Sequence, residues 1–357
     1  MDQVRERRSH FVNVDGICIV KRLLYGDGNM KIVMKDVAES CGVSIATVSK
    51  VLNGKDHSIN EETRRKILDA VERMGYVQNS VAKGLRTQRT NMIGFILPDI
   101  SNPFFSEIAR GIEDYARQQN FGVLISNTNG DAEQEYENFK RLTSRMVDGV
   151  IFTRTMKLQY MDTYSSVGLP IVVVDREIDF RGSGMGAIMV NTQQGIYDAT
   201  NVLICHGCQS IAFISAYYTS DHDRFDGYCR ALKEHGLPVR PELVFRRNYD
   251  ISTGYDGMTQ ILNSARVDGV VCGNDLIAVG AYDAIQKKGL SVPKDIKVFG
   301  FDDIYFSQFI SPRLTTVHQP AYEMGEEAAR MLIGHIEGGE PLEVRELPYR
   351  IIMRDSV

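Results

Sequence analysis

Residues 34 to 53 of this chain read Met-Lys-Asp-Val-Ala-Glu-Ser-Cys-Gly-Val-Ser-Ile-Ala-Thr-Val-Ser-Lys-Val-Leu-Asn, and no other stretch limits the possible folds as strongly. Val37, Ala38 and Cys41 recur at helical spacing, Gly42 can close a helix in the left-handed conformation, and Ser44 can cap a second helix running to Leu52. In that second helix Val48, Val51 and Leu52 form an apolar stripe, which leaves Ala46, Ser49, Lys50 and Asn53 on the opposite face. Two short helices across a tight glycine turn suit a helix-turn-helix whose second helix enters a DNA major groove. The same spacing also suits a helical pair inside a larger core.

Downstream, Asn60 can cap a third helix in which Ile67, Leu68, Val71 and Met74 face inward and Gly75 is the stop. The segment from Asn79 to Arg86 is short, basic and weakly helical, with Gly84 lowering its propensity by about 1 kcal/mol, so it orders only when something holds it. From Met92 the pattern changes. Strands are expected at 93–97, 121–126, 149–153 and 170–175, each preceded or followed by a helical stretch, and Asn102-Pro103 reads as a helix start. The helix after it turns Phe105, Ile108, Ala109 and Ile112 inward. The alternation resumes at 210–215, 242–245, 269–272 and 297–301, enough for a second sheet. A chain of 357 residues thus divides into a small all-α module and a larger α/β body of two parallel, doubly wound lobes.

Charge is uneven along the chain. Residues 1–90 carry 16 Lys and Arg against 11 Asp and Glu, so the overall charge of −5 leaves −10 for the remainder. A basic head on an acidic body is what phosphate neutralisation at one end requires. No apolar run is long enough to span a bilayer and no signal-peptide core is present at the N-terminus, so a cytoplasmic protein with no membrane partner is expected. Among six cysteines only Cys205-His206-Gly207-Cys208 has a suggestive spacing; it lacks the second ligand pair a zinc site needs and reads instead as a helix-end turn with two buried thiols. No metal or cofactor is expected. Catalytic motifs are missing too: there is no Gly-x-Ser-x-Gly elbow, no phosphate-cradling glycine loop before a lysine and no His-Glu-x-x-His, so the chain does not read as an enzyme.

A binding cleft needs only placed polar groups and an apolar wall. In doubly wound lobes ligands meet the carboxyl ends of strands, and several strands here finish in polar residues: Asp175-Arg176, Asn274-Asp275 and Asp302-Asp303. Phe104 and Phe105 follow the first strand, where an aromatic ring can stack on a sugar or base. Each of these polar residues can equally serve as a helix cap.

Asp36-Val37-Ala38, Gly42-Val43-Ser44, Ala46-Thr47-Val48-Ser49 and Leu52-Asn53-Gly54 resemble the N-terminal signature of LacI/GalR-type (lactose-repressor/galactose-repressor) transcription regulators. The resemblance extends over residues 34 to 355 and includes Leu314-Thr-Thr-Val-His-Gln-Pro320, read as an interlobe crossing. It implies a helix-turn-helix headpiece at 34–77, a hinge helix and linker at 78–90, and a periplasmic-binding-protein-like, two-lobed effector and dimerisation domain at 91–357, with chain crossings between lobes near 190, 305 and 337. Ile45, Ala46 and Lys50 would then meet base edges, Lys50 donating to guanine, while Ser44, Thr47, Ser49 and Asn53 meet phosphates. In the hinge the minor-groove residues would be Ala82, Leu85 and Arg86, Leu85 acting as the intercalating wedge; Gln78 departs from the proline common at its position. Asp175, Arg224, Asn274 and Asp302 fall where the family holds its effector. Two carboxylates, a guanidinium and an amide suit a sugar, while purines and phosphorylated signals occupy such clefts elsewhere in the family. A branch that takes a phosphoprotein corepressor shares 99–102 and 109–114 with this chain. The expected partners are a pseudo-palindromic double-stranded operator, a small-molecule effector and a second copy, since the last residues carry no tetramerising leucine heptads. Residues 1–33 fit no pattern, and Met30 or Met34 would each serve as a translation start.

Overall fold

The computed structural model describes residues 32–77, 89–153, 160, 164, 167–175, 184–216 and 222–357. The chain separates into two compact units, one ending at Arg86 and one spanning Thr87–Val357.

In the first unit, helices α1 (Met34–Cys41), α2 (Ile45–Leu52) and α3 (Glu61–Met74) enclose Val37, Ala38, Cys41, Val48, Val51, Ile67, Ala70 and Tyr76. The ends form as the residues dictate. Gly42 takes φ 70° and its N–H reaches the carbonyls of Ala38 and Glu39, the Ser44 hydroxyl accepts from Thr47 N at 3.1 Å, and Asn60 accepts from Thr63 N at 2.7 Å. One expectation fails here. Leu68 is 39% exposed, because Ile67 and Ala70 already occupy the inward stripe of α3 and Leu68 falls about 100° away from Ile67 around the helix.

The second unit is two α/β lobes. Lobe 1 holds β1 (Met92–Leu97), α4 (Pro103–Gln118), β2 (Gly122–Asn127), α5 (Ala132–Ser144), β3 (Gly149–Phe152), β4 (Ile171–Val174) and β5 (Gly186–Met189). Lobe 2 holds α6 (Thr192–Cys205), β6 (Ile211–Ala216), α7 (His222–Glu234), β7 (Val244–Arg247), α8 (Ile251–Ser264), β8 (Gly269–Cys272), α9 (Asp275–Lys287), β9 (Lys297–Asp302) and β10 (Thr315–His318). The chain then returns to lobe 1 as α10 (Ala321–Gly338) and β11 (Val344–Glu346), and ends in lobe 2 with β12 (Arg350–Ile352). The sheets run β11-β5-β4-β3-β1-β2 and β12-β10-β9-β8-β6-β7, parallel throughout except for the antiparallel β10–β12 pair. The strand order reverses between β1 and β3 in one sheet and between β6 and β8 in the other, and at such switch points the carboxyl ends of the strands leave a crevice.

The first crossing falls where expected, at residues 190–191; the second lies at the end of Leu314–Pro320, the segment read as an interlobe crossing, and not near residue 305; the third is displaced from 337. Residue 305 opens a single 3-10 turn (Tyr305–Gln308) still within lobe 2, and β10 follows it, so the second crossing is at 319–320. Residue 337 belongs to α10, which lies on α4 of lobe 1: a Cβ on Gly325 would stand 2.1 Å from the Ile108 carbonyl oxygen, a distance only glycine tolerates. The third crossing is at 347–349, between β11 and β12. The strand expected at 242–245 starts two residues later, since residues 241–243 form a 3-10 turn. Residues 89 and 90, read as the end of the linker, are bonded to lobe 1: Thr90 N donates to the Asp148 carboxylate at 2.9 Å, and Arg89 donates to the Ile336 carbonyl.

Candidate functional site

On α2 the side chains divide as the stripe requires. Val48 and Val51 are buried, Ser44, Ala46 and Lys50 are exposed, Thr47, Ser49 and Asn53 are half-buried, and Ile45 is 49% exposed although it is apolar. An isoleucine held out at the first turn of a helix gains nothing from burial there. Ser44 and Thr47 hydroxyls are 2.8 Å apart, and Asn53 Nδ2 donates to the Ser49 carbonyl at 2.6 Å, so both ends of the helix carry polar groups in fixed positions. Ala82, Leu85 and Arg86 lie outside the described residues, as does Arg176.

In the body, the carboxyl ends of the two sheets bring four of the anticipated residues together. Asp175 follows β4, Asp302 ends β9, Asn274 follows β8 and Arg224 stands in the first turn of α7; all are buried. Asp175 and Asp302 have φ of 65° and 106°, a region side chains other than glycine rarely enter. The Arg224 guanidinium donates to the Gly273 carbonyl at 2.5 Å and lies 4.4 Å from the Phe301 ring centroid and 5.1 Å from that of Tyr249. Burial pushes the Asp302 carboxyl well above its usual range; the Arg224 charge opposes that shift, and the Asp275 and Asp175 charges add to it. Asp175 comes from lobe 1 and Asp302 from lobe 2, so the carboxyl ends of the two sheets face each other closely enough for the Asp175 charge to act on Asp302.

Asn274 does what its capping alternative allowed: its Oδ1 accepts from Ile277 N at 2.9 Å and starts α9. Phe104 and Phe105 form an edge-to-face pair with centroids 5.3 Å apart inside the lobe 1 core, in one cluster with Ile304 of lobe 2. Both rings are therefore packed rather than standing open. The turn at 205–208 carries only one buried thiol, since Cys205 is exposed; Cys208 is buried and its pKa is pushed up to about 11, which keeps it protonated.

Three residues that the sequence did not single out carry buried, unsatisfied polar atoms at strand ends or at the second crossing. Thr153 Oγ1 at the end of β3, Ser215 Oγ near the end of β6 and Gln319 Oε1 at the second crossing are buried with no hydrogen-bond partner among the described residues. Gln319 Nε2 meanwhile donates to Asp302 Oδ1 at 2.8 Å, and a Cβ on Gly273 would stand 2.3 Å from Ser215 Oγ, so both flank the Arg224–Asp302 pair. Orphaned polar atoms are costly in a protein interior and are satisfied when a polar ligand or water fills the space. The signal was present, because Thr153 and Ser215 obey the same strand-end rule as Asp175, but hydroxyl residues at strand ends are too common to be chosen by it.

Comparison with known proteins places both units. Residues 33–79 match the family model for bacterial regulatory proteins of the lacI family, and residues 200–357 match a periplasmic binding protein-like domain. The HTH-type transcriptional regulator RegA of Clostridium saccharobutylicum is 39% identical over 331 residues, which is 90% of this chain and 98% of that one. The chain belongs to the LacI family. Catabolite control protein A of Priestia megaterium is 33% identical across 92% of this LacI-family chain and 99% of its own. Among solved structures, the lac repressor dimer bound to operator and an anti-inducer has a TM-score of 0.82 at 25% identity, covering 92% of this chain and 99% of that one. A LacI-family regulator from Enterococcus faecium with bound ribose has a TM-score of 0.67 at 32% identity, covering 74% and 98%. The chain is thus a DNA-binding transcription regulator with a helix-turn-helix headpiece and a periplasmic-binding-protein-like body. No helix among the described residues is long and apolar enough to cross a membrane.

Proposed function

We propose that this chain is a homodimeric repressor whose hold on a palindromic operator is set by a neutral sugar bound between the two lobes. Ile45, Ala46 and Lys50 on α2 would read base edges, with Ser44, Thr47, Ser49 and Asn53 on phosphates and Ala82, Leu85 and Arg86 of the hinge in the minor groove. The observation that carries the ligand class is the pair of buried, unsatisfied Ser215 Oγ and Gln319 Oε1 beside Arg224, Asn274 and Asp302, with Thr153 Oγ1 unsatisfied at a strand end of the lobe that supplies Asp175. A polyhydroxylated ligand can donate to the amide oxygen and carboxylates and accept from the guanidinium. A phosphate would face Asp175 and Asp302. The ribose held by the Enterococcus faecium relative supports the same class.

The test is calorimetric titration of the full chain with D-ribose, other neutral sugars, ribose 5-phosphate and hypoxanthine. A neutral sugar should bind, and Arg224→Ala should weaken it about thirtyfold to a thousandfold by leaving charged and polar partners unsatisfied in the pocket. Binding of the phosphate or purine in its place would contradict the assignment. Likeness to catabolite control protein A favours a second reading, in which a phosphoprotein on the outer surface is the corepressor. Heat on adding such a phosphoprotein, with none from any sugar, would favour that reading.

A further inference from the structure

Asp275 is fully buried at the first position of α9, next to Asn274. Its Oδ2 accepts from Ile304 N at 2.9 Å and from Ser307 Oγ at 2.6 Å, and its Oδ1 accepts from Thr316 Oγ1 at 2.7 Å. Only an acceptor with several lone pairs can take three donors from three directions, and a carboxylate is the side chain that does so. Room for it comes from Gly300 on β9, where a Cβ would stand 2.2 Å from Asp275 Oδ1. Burying a charge is expensive, and its influences include hydrogen bonds and the like charge of Asp303, with no cation among them. A residue that costly, gripping segments 29, 32 and 41 positions away, holds something in place.

What it holds is the exit of β9. Asp302 and Asp303 are successive residues at φ 106° and 59°, and the Ile304 N–H that follows them is tied to Asp275. Such a turn is strained and persists only where its surroundings fix it. On one side of the turn the Asp302 carboxyl lies beside Arg224 in the cleft; on the other, Ile304 seats in the lobe 1 core with Phe104, Phe105 and Met324. Thr316, the third group held, is on β10 shortly before the crossing into lobe 1.

We propose that Asp275 is the positioning residue of the cleft: by gripping Ile304, Ser307 and Thr316 it sets the angle at which Asp302 meets the ligand and the seating of Ile304 in the opposite lobe. This rests on the reading of the cleft as a sugar site. Asp275→Asn should preserve the grip, because the amide oxygen can accept from Ile304 N and Ser307 while its NH2 donates to Thr316 Oγ1, whose hydroxyl can turn to the Val317 carbonyl. Asp275→Ala leaves all three donors without a partner.

Both variants, with Ser307→Ala and Thr316→Val, are titrated with D-ribose in the full chain, and amide hydrogen exchange is followed at Ile304 and Phe105. For Asp275→Ala, ribose affinity should fall about thirtyfold or more, while Asp275→Asn stays within about threefold of wild type and each single-donor variant loses an intermediate factor. Wild-type ribose affinity in Asp275→Ala, or an Asn variant as poor as the Ala variant, would overturn the inference. Should Asp275→Ala not fold, unchanged affinity in both Ser307→Ala and Thr316→Val would do the same. If the wild type itself binds no ribose, the sugar assignment fails instead, and exchange decides: faster exchange at Ile304 and Phe105 together supports a grip that spans the lobes, and a rise at Ile304 alone contradicts it.

Discussion

Lys50 and Asp275 show how different the reasons for a charged residue can be. Lys50 is exposed on the polar face of α2, where an ammonium costs nothing to hydrate and can be offered to guanine O6 and N7. Lys50→Ala should weaken the preferred operator roughly tenfold to a hundredfold and flatten discrimination at one base pair per half-site, as read by selection from a randomised duplex pool. An unchanged sequence profile would remove Lys50 from base readout. Asp275 lies at the other extreme, its pKa pushed up to about 6 by burial against opposing hydrogen bonds. Because the folded value is above the unfolded one of 3.8, the folded state holds the proton more tightly, and this group's contribution to stability falls as pH rises through the window between them. Lowering the pH from about 7 to about 5 should therefore favour the wild type over Asp275→Asn by about 1 kcal/mol, measured as the difference between their denaturant midpoints at each pH. Asp302, Asp303, Cys272 and Tyr282 are electrostatically coupled to Asp275 or bonded through the same turn; the raised Asp302 adds in the same direction once the Asp275 charge is removed. A difference of the opposite sign would show that Asp275 is ionised more readily than an exposed carboxyl. The exposure of Lys50 was legible from its place opposite a helical stripe. The sequence could not expose the chemistry of Asp275, whose partners lie in distant segments, so the Asn-Asp pair read only as a strand end.

Among the elements, legibility followed how local the determinants are. The end of α1 and both ends of α2 and α3 were readable to within a residue because Gly42, Ser44, Asn60 and Gly75 fix ends by their own geometry. Buried strands such as β1, β3 and β8 were readable as apolar runs. The three-residue strands β11 and β12 were not, for Val344–Glu346 is exposed throughout and is held by pairing with β5 and by the Arg345–Glu327 ion pair, both to distant segments. The positions near 305 and 337 were misplaced, although 314–320 was read as a crossing, for a related reason: α10 is assigned to lobe 1 by its contact with α4, and nothing in its own periodicity names a partner. That contact gives a prediction at this scale. Gly325→Val places side-chain atoms against the Ile108 carbonyl and should destabilise the body by about 2 kcal/mol or more, seen as a lowered thermal midpoint. A midpoint equal to wild type would mean that the two helices can separate without cost.

At the scale of the whole molecule, the distribution of charge and the placement of the cleft assign different tasks to different units. Residues 1–90 carry the surplus of Lys and Arg that phosphates require, and the remainder is acidic, so phosphate neutralisation falls to the N-terminal part of the chain. Ile304 and Leu276 of lobe 2 pack on the lobe 1 core, so a ligand that grips Asp175 on one side and Arg224 and Asp302 on the other distinguishes one lobe arrangement from another. A ligand shifts an equilibrium only through such a difference. The most direct measurement is operator affinity by fluorescence anisotropy, on a duplex selected with the full chain, with and without the sugar that binds most tightly. Wild-type affinity should change by about tenfold or more when the sugar is added, and Arg224→Ala should bind the bare operator equally well yet not respond at the same sugar concentration. Operator affinity that no bound sugar alters, or an Arg224→Ala protein that responds as the wild type does, would contradict control through this cleft.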